Sequence, residues 1–436
     1  MRKNNPVDND ADIERTISWL YSCAESESEL KARVDFAAEY YFKKSHSDGC
    51  IWPTANQLIY NDDLIAFYIM QGEALLGDRR YFDLELGTEV IAYFKRIGLV
   101  VNEIKKRNNI KERIQRLLNP KITPKNYLFE LAVMAKYIDE GYDIDFIKES
   151  NVRTADLNVS YHEMNINVEC KLFSQSEYEK KEYNSTETLF NNVRDLIISS
   201  KLNLHIHFDS TSELMNVPKD YIYEHVYNFI NSRISIWNDE FGNGEIKIIK
   251  LDNVIKELDD SSLLYGPKLN RLLTGIKNDY HTLIIGKPDE RSNRFIEEIY
   301  YASSFTWTSK ASVAIDKKAR HIRSKLKNID EQLALSSLAI AHIGLTCPLD
   351  FDAADLKQKN NIINIKNFNF DSKIISIYLH YIMPRVSESK AWLIDETVDD
   401  FHRLDPSFSL LMEPLLFPCN DKSIDPSIPA WKQDYV

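Results

Sequence analysis

Two stretches, residues 152–160 and 165–173, alternate polar and apolar side chains, and this alternation constrains the chain more than any other feature. Successive side chains of a strand point to opposite faces. On the later stretch Asn165, Asn167, Glu169 and Lys171 therefore share one face, and Ile166, Val168, Cys170 and Leu172 share the other. On the earlier one Thr154, Asp156 and Asn158 oppose Ala155, Leu157 and Val159. The short polar connection at 161–164 reads as a hairpin turn. Such a hairpin needs cover on its apolar face, and its polar face brings Asp156 alongside Glu169 and Lys171.

The surrounding pattern suggests how that cover is built. Residues 125–140 read as a strong helix ending before Gly141, and 142–148 alternate like a strand. After the hairpin, 186–201 read as a helix and 202–208 as a strand. The order is α-β-β-β-α-β. Residues 1–118 have apolar positions at helical spacing, and their last helix, 102–118, is rich in Lys and Arg and ends at Asn119-Pro120. The expected organisation is a helical N-terminal domain (1–120), an α/β domain with a mixed sheet (121–350) and a C-terminal extension packed on it (351–436). Later elements include a helix at 217–234, strands at 246–251, 281–285 and 374–381, a long basic helix at 312–335 and a strand at 339–345.

Two carboxylates a few ångström apart repel, and one is ordinarily protonated. A hard divalent cation relieves the repulsion, because Mg²⁺ takes oxygen ligands while keeping waters and substrate phosphate oxygens. A lysine beside such an ion orients or deprotonates the attacking water and offsets developing charge. Glu130 adds a fourth member. It lies well outside the polar arc formed by Lys125, Lys136, Asp139 and Glu140 on its helix, where an unpaired carboxylate is costly.

With a helix acid, Asp on the second strand and Glu-x-Lys on the third, the α-β-β-β-α-β order resembles the PD-(D/E)xK, restriction-endonuclease-like nuclease superfamily. The resemblance covers residues 125–208, and the Gln332 helix with the strand Ala339-Ile-Ala-His-Ile-Gly-Leu extends it towards 345. It implies Mg²⁺ or Mn²⁺ held by Asp156, Glu169 and Glu130, with Lys171 acting on the water and all four residues catalytic. The family's Pro before the Asp is replaced by Ala155. The implied activity is phosphodiester hydrolysis, of duplex DNA first, in a restriction or defence setting. The alternative is an inactive nuclease fold serving as a binding or scaffold subunit. Glu-x-Lys recurs elsewhere in the chain, but only Glu245/Lys247 also begins a strand, and its upstream acids Asp239 and Glu240 lie in a turn.

Other features carry less. Net charge is −12, which excludes a passive polycation but not a nuclease, and which suits a homo-oligomer or control by a protein partner. Five scattered cysteines (Cys23, Cys50, Cys170, Cys347, Cys419) give neither a zinc pattern nor a disulfide framework, so a reducing, cytoplasmic setting without membrane contact is expected. Lys317, Lys318, Arg320 and Arg323 are candidates for nucleic-acid contact, as is the run Lys105, Lys106, Arg107, Lys111, Arg113 and Arg116. His205 and His207 share a strand face, where hydrogen bonding is the commoner role than metal binding. Tyr178, Tyr183, Phe305 and Trp307 follow no spacing and read as packing.

Overall fold

The computed structural model describes residues 10–45, 59–77, 81–82, 84–148, 154–173, 176–258, 267–275, 282–288, 299–336, 338–346, 351–385, 393–403, 410–411, 413–417 and 428–432. Within them the chain is mixed α/β, with two mixed sheets and no helix long and apolar enough to cross a membrane. Helices α1 (Ala11–Cys23), α2 (Glu27–Ser45), α3 (Leu64–Leu76) and α4 (Leu84–Leu99) come first. The break between α1 and α2 follows from sequence: Ala24 is extended, and the Ser26 hydroxyl accepts from the Glu29 amide to start a new helix. The basic stretch expected as one helix is likewise two, α5 (Val101–Ile104) and α6 (Ile110–Leu117). Asn109 interrupts it with a left-handed φ of 59°.

Helix α7 (Pro124–Asp139) leads into β1 (Asp143–Phe146), β2 (Leu157–Tyr161) and β3 (Met164–Phe173). The hairpin expected between the last two is present, with Leu157 opposite Val168 and Asn158 opposite Asn167. Its two-residue turn places His162 at φ 52°, the positive φ that such turns require. The polar arc expected on α7 is narrower than its sequence suggests. Residues 128–137 are all buried, Lys136 included, and its ammonium pairs with Glu140 at 2.7 Å.

The second half of the expected α-β-β-β-α-β unit is corrected. After β3, helix α8 (Glu177–Ser199) and strand β4 (Leu204–Ser210) leave the hairpin's sheet. They open a second, five-stranded sheet in the order β5-β6-β4-β8-β7, where β5 is Ile236–Asn238, β6 Gly242–Ile248, β7 Thr282–Pro288 and β8 Ile299–Ser309. The reason is packing. A capping box at Ser176 and Glu179 starts α8, and its Leu189, Phe190, Val193 and Ile197 bury against Ile206, Phe208, Phe305 and Trp307. Helix α9 (Tyr221–Ser232) closes the same core. Helices α10 (Leu251–Lys256) and α11 (Pro267–Thr274) lie on a smaller cluster with Ile299 and Ala302.

The chain returns through α12 (Ser312–Leu333) to β9 (Ala339–Thr346), which runs parallel to β3. Helix α13 (Phe351–Lys366), β10 (Ile374–Arg385) and β11 (Leu393–His402) follow, giving a six-stranded sheet ordered β1-β2-β3-β9-β10-β11. Residues 374–385 and 393–402 are thus strands of this sheet. Strands β9 and β10 are buried on both faces and mostly apolar, as strands between helical layers are. One face shares a continuous core with α1–α7, so the helices before Pro120 are not a separate packing unit. The other lies under α12 and α13. Gly344 on β9 lets α7 ride close, since a Cβ there would come within 2.8 Å of the Phe129 ring.

A buried polar chain ties α7 to the far side of this sheet. The Tyr137 hydroxyl meets His342 Nε2 at 3.1 Å, His342 Nδ1 meets His380 Nε2 at 2.9 Å, and Glu396 Oε1 accepts from His380 Nδ1 at 2.6 Å. Burial and the neighbouring His380 hold the His342 imidazole well below its ordinary pKa. Glu396 Oε2 accepts from the Leu416 and Phe417 amides at 2.7 and 2.9 Å, pinning the C-terminal segment. Glu396→Gln places an amide NH₂ where those donors or His380 need an acceptor. Urea denaturation should show a loss of about 2 kcal/mol or more. A loss under about 0.5 kcal/mol would mean that the chain of bonds is not holding these layers together.

Candidate active site

The six-stranded sheet has a notch where β1 and β2 end and β3 continues. The paired register of β2 with β3 stops at Leu157 and Val168, while β3 runs on to Phe173 beside β9. One further ladder bond, from the Asp156 amide to the Val168 carbonyl at 3.2 Å, sets Asp156 next to Glu169. Asp156 therefore sits just before β2 rather than within it. Its Oδ2 accepts from the Cys170 amide at 2.9 Å, satisfying a donor that the ended ladder would leave open.

Glu169 is fully buried and Lys171 is about one-third exposed, with Lys171 Nζ 2.7 Å from Glu169 Oε1. Lys171 is thus the partner of one oxygen of this buried carboxylate, and the other, Oε2, has no hydrogen-bond partner. Glu130 enters the notch from α7. Its Oε2 accepts from Arg113 Nε at 2.7 Å and lies 2.5 Å from Arg113 Nη2. The same Nη2 donates to Asp156 Oδ1 at 3.0 Å. Cys170, on the opposite face of β3, is buried in the core as its place in the alternation requires.

Arg113 is the residue whose role the sequence concealed. It belongs to a basic run expected to face solvent or phosphate, yet it is buried between Tyr127 and Phe146, whose ring centroids lie 4.9 and 5.2 Å from its guanidinium carbon. A signal was present. With Ile110, Ile114 and Leu117 it falls on the one apolar stripe of an otherwise charged helix. The turn before α6 fixes it there. Asp145 accepts from the Asn108 amide and side chain at 2.7 Å each, and Asn109 Nδ2 donates to the Phe146 carbonyl at 2.7 Å.

Three carboxylates thus face two cations, and the imbalance appears as shifted ionisation. Burial and then Asp156 push Glu169 up to about 8, against the pull of Lys171. The same two causes raise Glu130 well above the carboxylate range despite Arg113. Burial works against the Lys171 ammonium, but Glu169 and Asp156 outweigh it and hold it above the ordinary lysine range. Among the described residues no three His, Cys, Asp or Glu side chains are placed as a ready-made metal shell. Mg²⁺ needs only one or two carboxylates when phosphates and water complete its shell. Glu169, buried and open at Oε2, together with Asp156 fits that smaller set.

The other candidates lie elsewhere. Lys317 pairs with Glu213 at 2.6 Å and Lys318 with Glu182 at 2.5 Å, on the unit carrying the second sheet. Arg323 is exposed on α12, and the side chain of Arg320 lies outside the described residues. Lys325 of α12 lies 5.7 Å from the ring centroid of Phe173, two residues beyond Lys171. His205 and His207 both bond the Thr306 hydroxyl at 2.9 Å, and burial lowers His205 to about 4. Phe305 and Trp307 stack inside the second core, as packing residues. Glu245 and Lys247 pair with each other on β6. Cys23 and Cys170 are free thiols, and Cys50, Cys347 and Cys419 lie outside the described residues.

The chain matches no protein-family model, no curated protein and no solved structure. The reading of the notch therefore stands on its own chemistry.

Glu169 makes that chemistry measurable without activity. Folding takes up a proton on this carboxyl between the ordinary glutamate range and about pH 8. The stability it contributes is complete below that range and is lost as pH rises to about 8. In EDTA, melting temperature should fall from about pH 5 to about pH 8, and Glu169→Gln should make the fall measurably shallower, leaving the share that Glu130 contributes. Equal slopes in both proteins would place the titrating group elsewhere.

Proposed function

We propose that this protein is a Mg²⁺-dependent nuclease that hydrolyses phosphodiester bonds, most directly in duplex DNA, at the notch formed by Asp156, Glu169 and Lys171. The observation that carries the reading is Glu169: a carboxylate with no exposure, paired with the Lys171 ammonium through Oε1, open at Oε2 and beside a second carboxylate. A buried carboxylate paired through one oxygen only is costly to ionise unless a further cation completes it.

Glu169 and Asp156 are the residues that would hold the ion, with Glu130 supporting Asp156 through their shared Arg113. When bound, such an ion acidifies water and stabilises charge on the phosphoryl and leaving oxygens. The remaining work belongs to the chain. Lys171 stays protonated, because two carboxylates raise its pKa. It therefore serves as a donor that orients water or a phosphate oxygen and offsets charge, rather than as the base. Asp156 is held by two donors, the Cys170 amide and Arg113, so it does not have to be ordered when substrate arrives. The packed sheet behind Cys170 excludes solvent from one side, which strengthens each of these interactions.

A second reading has an observation in its favour. Arg113 already spans two of the three carboxylates, as it would in a fold kept for binding, with catalysis in a partner. Incubation of supercoiled plasmid and linear duplex with wild-type protein, Lys171→Ala and Glu169→Gln separates the two. Mg²⁺ or Mn²⁺ should support cutting by wild type alone, EDTA should abolish it, and each variant should lose at least about 100-fold. Undiminished cutting by Lys171→Ala would remove the assignment of this site.

A further inference from the structure

The site described above contains a cation that its proposed chemistry does not require from the protein. We infer that Arg113 occupies the place of a second metal ion, so that the protein takes a single divalent cation. The inference rests on the nuclease reading and sharpens it.

In two-metal sites the second ion sits between carboxylates and supplies fixed positive charge opposite the first. Arg113 Nη2 does this geometrically: it lies 2.5 Å from Glu130 Oε2 and 3.0 Å from Asp156 Oδ1, bridging carboxylates from different elements. Its Nε adds a further bond to Glu130 at 2.7 Å. Both Glu130 and Asp156 are thereby engaged, and Asp156 Oδ2 is also occupied by the Cys170 amide. Glu169 pairs with Lys171 through Oε1 and keeps Oε2 without a hydrogen-bond partner. The notch thus offers one incomplete cation position, on the Glu169 side, and one filled position, on the Glu130 side.

Charge leads to the same count. When a bound cation draws the protons off, three ionised carboxylates against Arg113 and Lys171 carry one net negative charge. One divalent ion turns this into a single positive charge, which a phosphodiester neutralises. Two would leave an excess of three positive charges in a buried notch.

Arg113 is also built to stay. Its ring partners Tyr127 and Phe146 and the Asn108 and Asn109 bonds to β1 hold α6 against the sheet. A planar, always-charged fork is the side chain suited to a fixed bridge between carboxylates. It carries a charge that needs no uptake from solution.

Isothermal calorimetry of Mn²⁺ into full-length wild type, Arg113→Met and Arg113→Lys tests this. Wild type should bind one ion per chain. Arg113→Met, which keeps bulk but removes charge, should bind two, and Mn²⁺ electron paramagnetic resonance should then show the broadened signal of two neighbouring ions. Arg113→Lys should return the count to one. Two ions in wild type would overturn the inference while leaving the nuclease reading in place. One ion in a folded Arg113→Met, with unchanged affinity, would overturn it equally. If Arg113→Met does not fold, the wild-type count still decides. No binding by wild type would remove the nuclease reading and this inference together.

Discussion

Three carboxylates from three separate elements are held within reach of each other by two cations, and the architecture around the notch serves this unequal arrangement. Asp156 comes from the residue just before β2, Glu169 from β3 and Glu130 from α7. None of them tolerates burial alone. Arg113 spans Glu130 and Asp156, and Glu169 has Lys171 on one oxygen and no hydrogen-bond partner on the other. A structural salt-bridge cluster would be expected to close its donors and acceptors, because a buried group left open costs more than a paired one returns. The open carboxylate is the local exception, and exceptions of this kind gather where a protein does chemistry.

The supports of the notch are distributed over the whole chain. Helix α6 is aimed by the left-handed Asn109 and its bond to β1. Helix α7 is pressed to the sheet by the absence of a side chain at Gly344 and is tied through Tyr137, His342, His380 and Glu396 to the C-terminal segment. Arg96 of α4 binds the Ala135 carbonyl and Asp139 at 3.1 Å each, locking the N-terminal helices onto the same element. The residues before Pro120 and after 374 thus act as the frame of the site. The second sheet is inserted in the chain between β3 and α12 and leaves the strand order of the six-stranded sheet unbroken.

Much of this was legible in the sequence where a side chain's direction follows from periodicity alone. The hairpin, its register and the polar face of Glu169 and Lys171 follow from a period of two. Glu130 was visible because it breaks the polar arc of its helix. What could not be read was long-range. Whether β4 or β9 pairs with β3 depends on which apolar faces meet, and both strands have suitable sequences. The basic run before Pro120 looks uniform, but the turn at Asn109 rotates Arg113 inward and leaves its neighbours outside. Lys136 appears to be a surface residue until the N-terminal helices cover α7.

The most direct test is where a cation goes. Crystals of the full chain soaked in Mn²⁺, with diffraction recorded at an energy where manganese scatters anomalously, report its position independently of activity. One anomalous peak, within about 2.3 Å of oxygens from both Glu169 and Asp156 and with Arg113 still on Glu130, is the predicted result. An empty notch at saturating Mn²⁺, or a peak seated only on other residues, would contradict the account.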